Sequence, residues 1–410
     1  MGIEGLTDVE LILIVLALFY ASESFAWLRG GTAWFVSFLG GPCRVLKSAL
    51  LAGQDLAGPV FLEILPTGRS FLCMSWPVSI SPGGVYSYSA VSLSPRGRAD
   101  QRAQFVPFDQ IETICAQGDE VEINGQLFVS ALCHSHAKFI AENLRRIAEQ
   151  PPSERVAAID DLLVALTNVE AAKTRLEEID RVSSLLSLTS VLLFLLVFVM
   201  GPVCYYHFRL HPASTRMLVA YLGTFLLLWG LSTYLFARAS RSIEPDERAL
   251  RCKQVFAMAL SPVSAMRAWS HLPRRALVNF HPLTVAATVC SRPSARSFAG
   301  EVLRDALHPI HPPCPNSIPV RRETETWFRE RLADSLFRLA QRLGYELESL
   351  TAPPAREGDS RLYCPRCSDQ YELLEGSCAS CGELALLSHA EVIATRAGTT
   401  AGEPNDPGRV

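Results

Sequence analysis

Two apolar runs, Leu185–Tyr206 and Met217–Phe236, stand ten residues apart, and no other feature restricts the fold as tightly. A hydrocarbon layer about 30 Å thick is crossed by about 20 helical residues rising about 1.5 Å each. Two such runs joined by HFRLHPASTR therefore predict an antiparallel transmembrane hairpin. A shorter run, Leu11–Leu28, contains Glu23 and predicts a third membrane helix. Composition agrees: 19% of the chain is charged, where soluble domains carry about 25%. At about 150 residues per domain, 410 residues leave room for two or three. A formal net charge of −3 excludes a surface devoted throughout to nucleic acid.

The flanking charges orient these segments. The leader MGIEGLTDVE has three acids and no Lys or Arg, unlike the basic start of a signal peptide. Arg29, Arg44 and Lys47 follow the first run, and Arg238, Arg241, Arg248, Arg251 and Lys253 follow the third. The positive-inside rule then places the N-terminus outside and the C-terminus in the cytoplasm of a bacterial inner membrane. Eight of the twelve cysteines are scattered singly, as small hydrophobes in a reducing compartment and not a disulfide framework.

Beyond the first run, residues 29–56 combine Trp34, Phe35 and Phe38 with Arg44 and Lys47. This segment is expected either along the inner membrane surface or packed on the next domain. Residues 57–150 read as a β-rich domain. FLEIL, SFLCMSW, VYSYSAVSL, QFVPF and EVEINGQLFV are strand-like and separated by PTGR, SPGG and SPRGRADQ. Asn124-Gly125 marks a hairpin. An amphipathic helix follows at about His134–Glu149, with Ala137, Ile140, Ala141, Leu144 and Ile147 on one stripe. VPFDQIETICAQGDEVEINGQLF followed by that helix resembles the closing part of a bacterial pleckstrin-homology-like domain across residues 57–149. The resemblance implies a binding or oligomerisation module; a generic small β-barrel or β-sandwich fits the same residues.

Residues 151–184 predict one long amphipathic helix with Val156, Ile159, Leu163, Leu166, Val169, Ala172, Leu176 and Ile179 on its apolar stripe. That stripe serves either a homodimeric coiled coil through 153–182 or packing on the β-domain. The transmembrane hairpin occupies 185–237. In 238–307, ten basic residues between 238 and 300 face only Glu244, Asp246 and Glu247, predicting helices lying on anionic lipid. Residues 308–322 form a Pro-rich linker whose His308, His311 and Cys314 have metal-like spacing but no evident fourth ligand. A further amphipathic helix is expected in 323–350, with Phe328, Leu332, Leu336, Leu339 and Leu343 buried and Gly344 capping it. Residues 393–410 are a polar tail. The fold class is thus an α+β membrane protein: three transmembrane helices, a cytoplasmic small β-domain with closing helix, an α-helical cytoplasmic region and a C-terminal metal knuckle over 360–392.

That knuckle is CPRCSDQYELLEGSCASC, a C-x2-C-x10-C-x2-C pattern at Cys364, Cys367, Cys378 and Cys381. Each C-x-x-C turn presents two thiolates to one ion, and two turns supply the four sulfurs that tetrahedral Zn²⁺ prefers. The pattern resembles the zinc-ribbon or rubredoxin-type knuckle. Gly382 after the second pair matches that family, whereas Ser368 after the first departs from it. One structural zinc ion is expected, since four sulfurs leave no position for a substrate water; iron in the same geometry is the alternative.

The sequence contains no G-x-x-x-x-G-K-[ST], G-x-G-x-x-G, H-E-x-x-H or G-x-S-x-G pattern, and no catalytic residue is assigned. The expected function is an inner-membrane adaptor or scaffold working through protein or lipid contacts, with a protein partner on the knuckle or the β-domain. The alternative is a membrane enzyme or transporter component acting on a phosphate-bearing or lipid substrate through 245–320, using Arg267, His271, Arg274, Arg275 and His281. Nucleic acid is disfavoured because Asp369, Glu372, Glu375 and Glu383 stand against Arg366 in the knuckle. Glu23, the one acid inside the first run, is expected to pack against a helix or to reach the inner interface.

Overall fold

Alternating apolar residues, tight turns and one amphipathic helix build the first of the protein's cores. The computed structural model describes residues 7–28, 32–37, 44–46, 68–87, 104–210, 215–243, 248–308, 319–381 and 384–389. Strands β1 (Thr32–Ser37), β2 (Arg44–Leu46) and β3 (Gly68–Cys73) form an antiparallel sheet in the order β2-β1-β3. Strands β4 (Val78–Ser81), β5 (Gly84–Ser87) and β6 (Gln104–Pro107) form a second sheet, and β7 (Ile114–Gln117), β8 (Glu120–Ile123) and β9 (Gln126–Ser130) a third. The second and third sheets are antiparallel meanders. Part of the segment expected on the membrane surface is therefore strand, paired with SFLC. Phe71 and Cys73 of β3 join the helical core, while Leu72 packs on Leu132 and Cys133 at the end of the β-domain. FLEIL, the C-terminal half of VYSYSAVSL and the tail 393–410 lie outside the described residues.

Asn124 and Gly125 take φ 52° and 72°, the left-handed pair that a two-residue hairpin needs. Asn124 also accepts from the backbone N–H groups of Glu112 and Thr113 at 2.9 and 3.1 Å and donates to Gln110 O at 2.6 Å. The turn thus ties β8 and β9 to the approach of β7. Helix α2 (His134–Ala148) closes this core by burying Ala137, Ile140, Ala141, Leu144 and Ile147 against Val78, Ile80, Val121 and Phe128.

The expected continuous helix over 151–184 breaks in two. Helix α3 (Arg155–Leu166) ends at Thr167, whose hydroxyl donates back to Leu163 O at 2.8 Å. Asn168 then caps α4 (Val169–Leu195) by accepting from Ala171 N at 3.0 Å. A Thr-Asn pair offers local side-chain bonds that compete with the helix ladder, which accounts for the break. Ile159, Leu163 and Leu166 pack on the β-domain, whereas Ala172, Ile179, Leu186 and Leu193 recur every seven residues in three successive cores. The stripe considered for a coiled coil is consumed within the chain.

Helix α4 continues through a wider π turn at Leu196–Met200 into α5 (Gly201–Leu210). Pro202 has no N–H to give, so the ladder shifts there; Leu196 O accepts from Gly201 N and from Tyr221 Oη at 3.2 Å. Helix α6 (Thr215–Ile243) returns alongside. Two stretches among the described residues are helical, long and apolar enough to cross a membrane: 169–207 and 216–243, with mean hydropathy of 2.5 and 1.6 in their most apolar windows. The third expected span is helix α1 (Asp8–Leu28). It runs antiparallel to α4–α5: Tyr205 Oη donates to Thr7 Oγ1 at 2.8 Å, and Tyr20 packs on Phe194 and Phe198.

Residues 248–276 fold into helices that pack against the two long apolar helices. Helix α7 (Arg248–Leu260) runs back along α6 until Met258 O accepts from Trp229 Nε1 at 2.8 Å. The chain turns at Ser261-Pro262 into α8 (Pro262–Met266) and α9 (Ala268–Ala276). Ser190 and Ser232 both donate to Ala265 O, at 3.3 and 2.9 Å. Val263, Ala265 and Met266 share a core with Leu193 and Val197. These contacts lie five to twelve residues beyond Leu185 on α4, about 8–18 Å of helix into the apolar run. Phe256 and Leu260 remain 65% exposed on the outer side of this helical hairpin.

Helices α10 (Pro282–Val289), α11 (Arg292–Leu307) and α12 (Pro319–Arg342) complete the second core with α4, and α13 (Leu347–Thr351) leads to the knuckle. Helix α12 buries Phe328, Leu336 and Leu339, with Leu332 and Leu343 partly covered. Its end is a Schellman motif at Gly344, φ 72°, with Tyr345 N bonded to Ala340 O at 3.0 Å and Gly344 N to Gln341 O at 2.9 Å. It joins the β-domain through Phe328 and through Arg331, which pairs with Asp160 at 3.1 Å. Residues 309–318, including His311 and Cys314, lie outside the described residues.

Candidate metal centre

Four thiols at the C-terminal end meet in one place. Strand β10 (Leu362–Tyr363) pairs with β11 (Gln370–Tyr371) and β14 (Leu387–Ser388), while β12 (Ser377–Cys378) pairs with β13 (Leu384–Ala385). Cys364 and Cys367 occupy the turn after β10, closed by Ser368 N to Cys364 O and Cys364 N to Asp369 O, each 2.9 Å. Ser368 sits at φ 66°, a conformation glycine adopts without strain. The position where the sequence departs from the knuckle family is thus the one whose backbone favours the family's residue. Cys378 and Cys381 flank the second turn across the cluster.

The four sulfurs lie within 4.8 Å of one another, and Cys367 Sγ is 3.7 Å from Cys378 Sγ. Sulfurs at the corners of a tetrahedron with bonds of about 2.3 Å stand about 3.8 Å apart. The cluster can therefore hold one metal ion with little rearrangement. Cys364, Cys378 and Cys381 are buried and Cys367 is exposed.

Tyr371, inside the ten-residue spacer, donates its hydroxyl to Cys378 Sγ at 3.2 Å. Burial pushes the Cys367 thiol far above its ordinary range and Cys381 up to about 11. Burial acts the same way at Cys378, but hydrogen bonds from Tyr371 and the neighbouring thiols outweigh it and hold this group at about 7. Cys378 is thus the first of these three to ionise. Sequence spacing alone does not reveal Tyr371; its aromatic ring in a short polar spacer is the only trace.

Gln370 ties the approach loop to the knuckle, accepting from Ser360 Oγ at 2.6 Å and Glu357 N at 3.0 Å and donating to Ala355 O at 2.7 Å. The knuckle docks on α11, where Arg366 pairs with Asp305 and Arg304 Nε donates to Arg366 O at 3.3 Å. At the far tip, Leu373 and Leu374 are 53% and 74% exposed.

Of the Arg and His residues considered for a phosphate or lipid site, Arg267, Arg274 and Arg275 all bring their charge to bear on His271, whereas His281 sits apart from them as a helix cap. His281 is buried as the cap of α10: its Nδ1 accepts from Leu283 N at 3.2 Å, and burial lowers its pKa to about 4. His271 is half-buried on α9, its ring edge-on to Phe236. Arg267, 2% exposed, donates to Tyr20 O at 3.4 Å and lies over the Tyr20 ring. Glu23 accepts from Ser264 and feels the charge of Arg267, so it packs against the hairpin.

No family model, curated protein or solved structure matches this chain.

Proposed function

We propose that the protein is a bacterial inner-membrane adaptor, its β-domain and zinc-bound knuckle facing the cytoplasm. Helices α1, α4–α5 and α6 would cross the bilayer, and the 248–276 hairpin would enter it from the cytoplasmic side and return. Supporting this are the antiparallel packing of α1 on α4–α5, the depth of Ala265 against α4, and lipid-compatible Phe256 and Leu260. Basic residues at 238–253 orient the assembly.

The observation that carries the adaptor reading is the knuckle itself. Four sulfurs would saturate zinc and leave no position for a reacting water, while Leu373 and Leu374 present apolar surface at its tip. Paired apolar side chains held on a rigid metal-stapled loop suit protein recognition. A dimer through 153–182 would have only the outer faces of α3 and α4 to use.

The test is purification in mild detergent with mass spectrometry, comparing the full chain, a chain ending at Leu350, and Leu373→Ser with Leu374→Ser. A stoichiometric protein partner of the full chain, absent from both variants, is expected. A full chain that purifies with no partner would overturn the adaptor reading.

A further inference from the structure

Helix α11 carries arginines at 292, 296 and 304, with Gly300 at the remaining four-residue step. Positions four apart stack on one helix face. A Cβ at Gly300 would stand 3.1 Å from Leu350 O and 3.2 Å from Arg304 Nη1. The bare helix surface therefore lets α13 close over this row. Between them lies a cavity of about 570 Å³, lined chiefly by Arg292, Arg296, Gly300, Arg304, Ser349 and Leu350, within the range of about 300–1,000 Å³ that holds small ligands.

No residue lining the cavity is acidic. Arg304 Nη1 donates to Leu350 O at 2.9 Å, and Arg296 Nη2 to Ser349 Oγ at 3.0 Å. With Arg366 O, every hydrogen-bond acceptor of these two guanidiniums is neutral. Arg292 and Arg296 stand about 6 Å apart along the helix axis on one face, so two long side chains can reach one anion. Planar guanidiniums bind phosphoryl oxyanions with paired hydrogen bonds.

We propose that this cavity binds a phosphoryl-bearing anion, a role separate from the adaptor reading and independent of it. The same group occurs in soluble phosphate compounds and in phospholipid headgroups. Arg304 holds the cavity floor and the knuckle backbone together, so the ligand would sit at the joint between α11 and the metal centre.

The test is calorimetric titration of the full, metal-loaded chain in phosphatidylcholine nanodiscs with inorganic pyrophosphate. Arg292→Gln and Arg296→Gln change exposed side chains, so metal content and melting temperature should be kept. Saturable binding is expected, weakened at least tenfold by each of these and unchanged by Arg146→Gln on the β-domain. Absence of saturable binding, or equal affinity in all four proteins, would overturn the proposal. Repeating the titration in phosphatidylglycerol nanodiscs separates the sources. A drop in apparent affinity that disappears in the double Gln variant assigns the site to lipid headgroups, and equal affinity in both nanodiscs assigns it to soluble phosphate compounds.

Discussion

Single residues decide the chemistry of the metal centre. Tyr371 supports the thiolate of Cys378 through one hydrogen bond, and partners of this kind are typically worth 10–100-fold in metal affinity. Tyr371→Phe is therefore predicted to weaken metal binding about tenfold while preserving the fold, as measured by competition with a chromophoric chelator. Affinity should also fall steadily on acidification, because protons compete with the ion for all four thiolates. A second pH effect resides in His136, buried with its Nδ1 accepting from Leu132 N at 3.4 Å. Burial lowers its pKa from 6.5 to about 4. Between those values the unfolded chain binds the extra proton and the folded chain does not, so stability is complete above 6.5 and lost as pH falls toward 4. The slope from this one group is about 1 kcal/mol per pH unit. Chemical denaturation at pH 7 and pH 5 should show the loss, and His136→Gln should flatten it.

At the scale of elements, the 248–276 hairpin is held by few polar contacts, among them Arg267 Nη1 to Tyr20 O at 3.4 Å. Arg267→Ala would remove that contact and the guanidinium lying over the Tyr20 ring. A hydrogen bond from a charged group is worth about 1.5–3 kcal/mol, so this variant should melt below the parent protein in detergent. Glu23→Gln keeps an acceptor for Ser264 and should lose less; equal losses would contradict this ranking. Elements whose apolar period matches their surroundings were legible in the sequence. Helix α2 and helix α12 carry their buried stripes where the 3.6-residue period puts them, and Asn124-Gly125 turns where its backbone freedom requires. The break at Thr167-Asn168 was not legible, because the apolar period runs through it undisturbed while two side chains divert the backbone hydrogen bonds. Nor was the course of α7 to α9 evident. A mixed basic and apolar composition describes a helix on a membrane surface as well as one slotted between serines.

At the scale of the whole molecule, α12 joins the β-domain to the helical region, and α11 joins that region to the knuckle. Breaking the Arg366–Asp305 pair by Asp305→Ala should release the knuckle from α11 without emptying it. Limited proteolysis near residues 352–360 should then accelerate while metal content stays at one ion per chain; unchanged cleavage would show that the pair does not secure the docking. The proposed topology makes its own prediction in intact cells. A membrane-impermeant maleimide should label a cysteine introduced at His207 and leave Cys252 unlabelled until the membrane is opened; the reverse pattern would invert the orientation.

The amino-acid sequence by itself determined the apolar helices and the four-cysteine cluster. Both follow from local rules: a run of apolar residues long enough for a bilayer, and paired thiols at a spacing that one ion can gather. Tertiary structure alone decided that β3 pairs with β1, that α3 and α4 spend their stripe inside the chain, and that Gly300 opens a cavity between arginines. Those outcomes depend on which surfaces meet across long sequence separations, and side-chain period and composition carry no record of the partner surface.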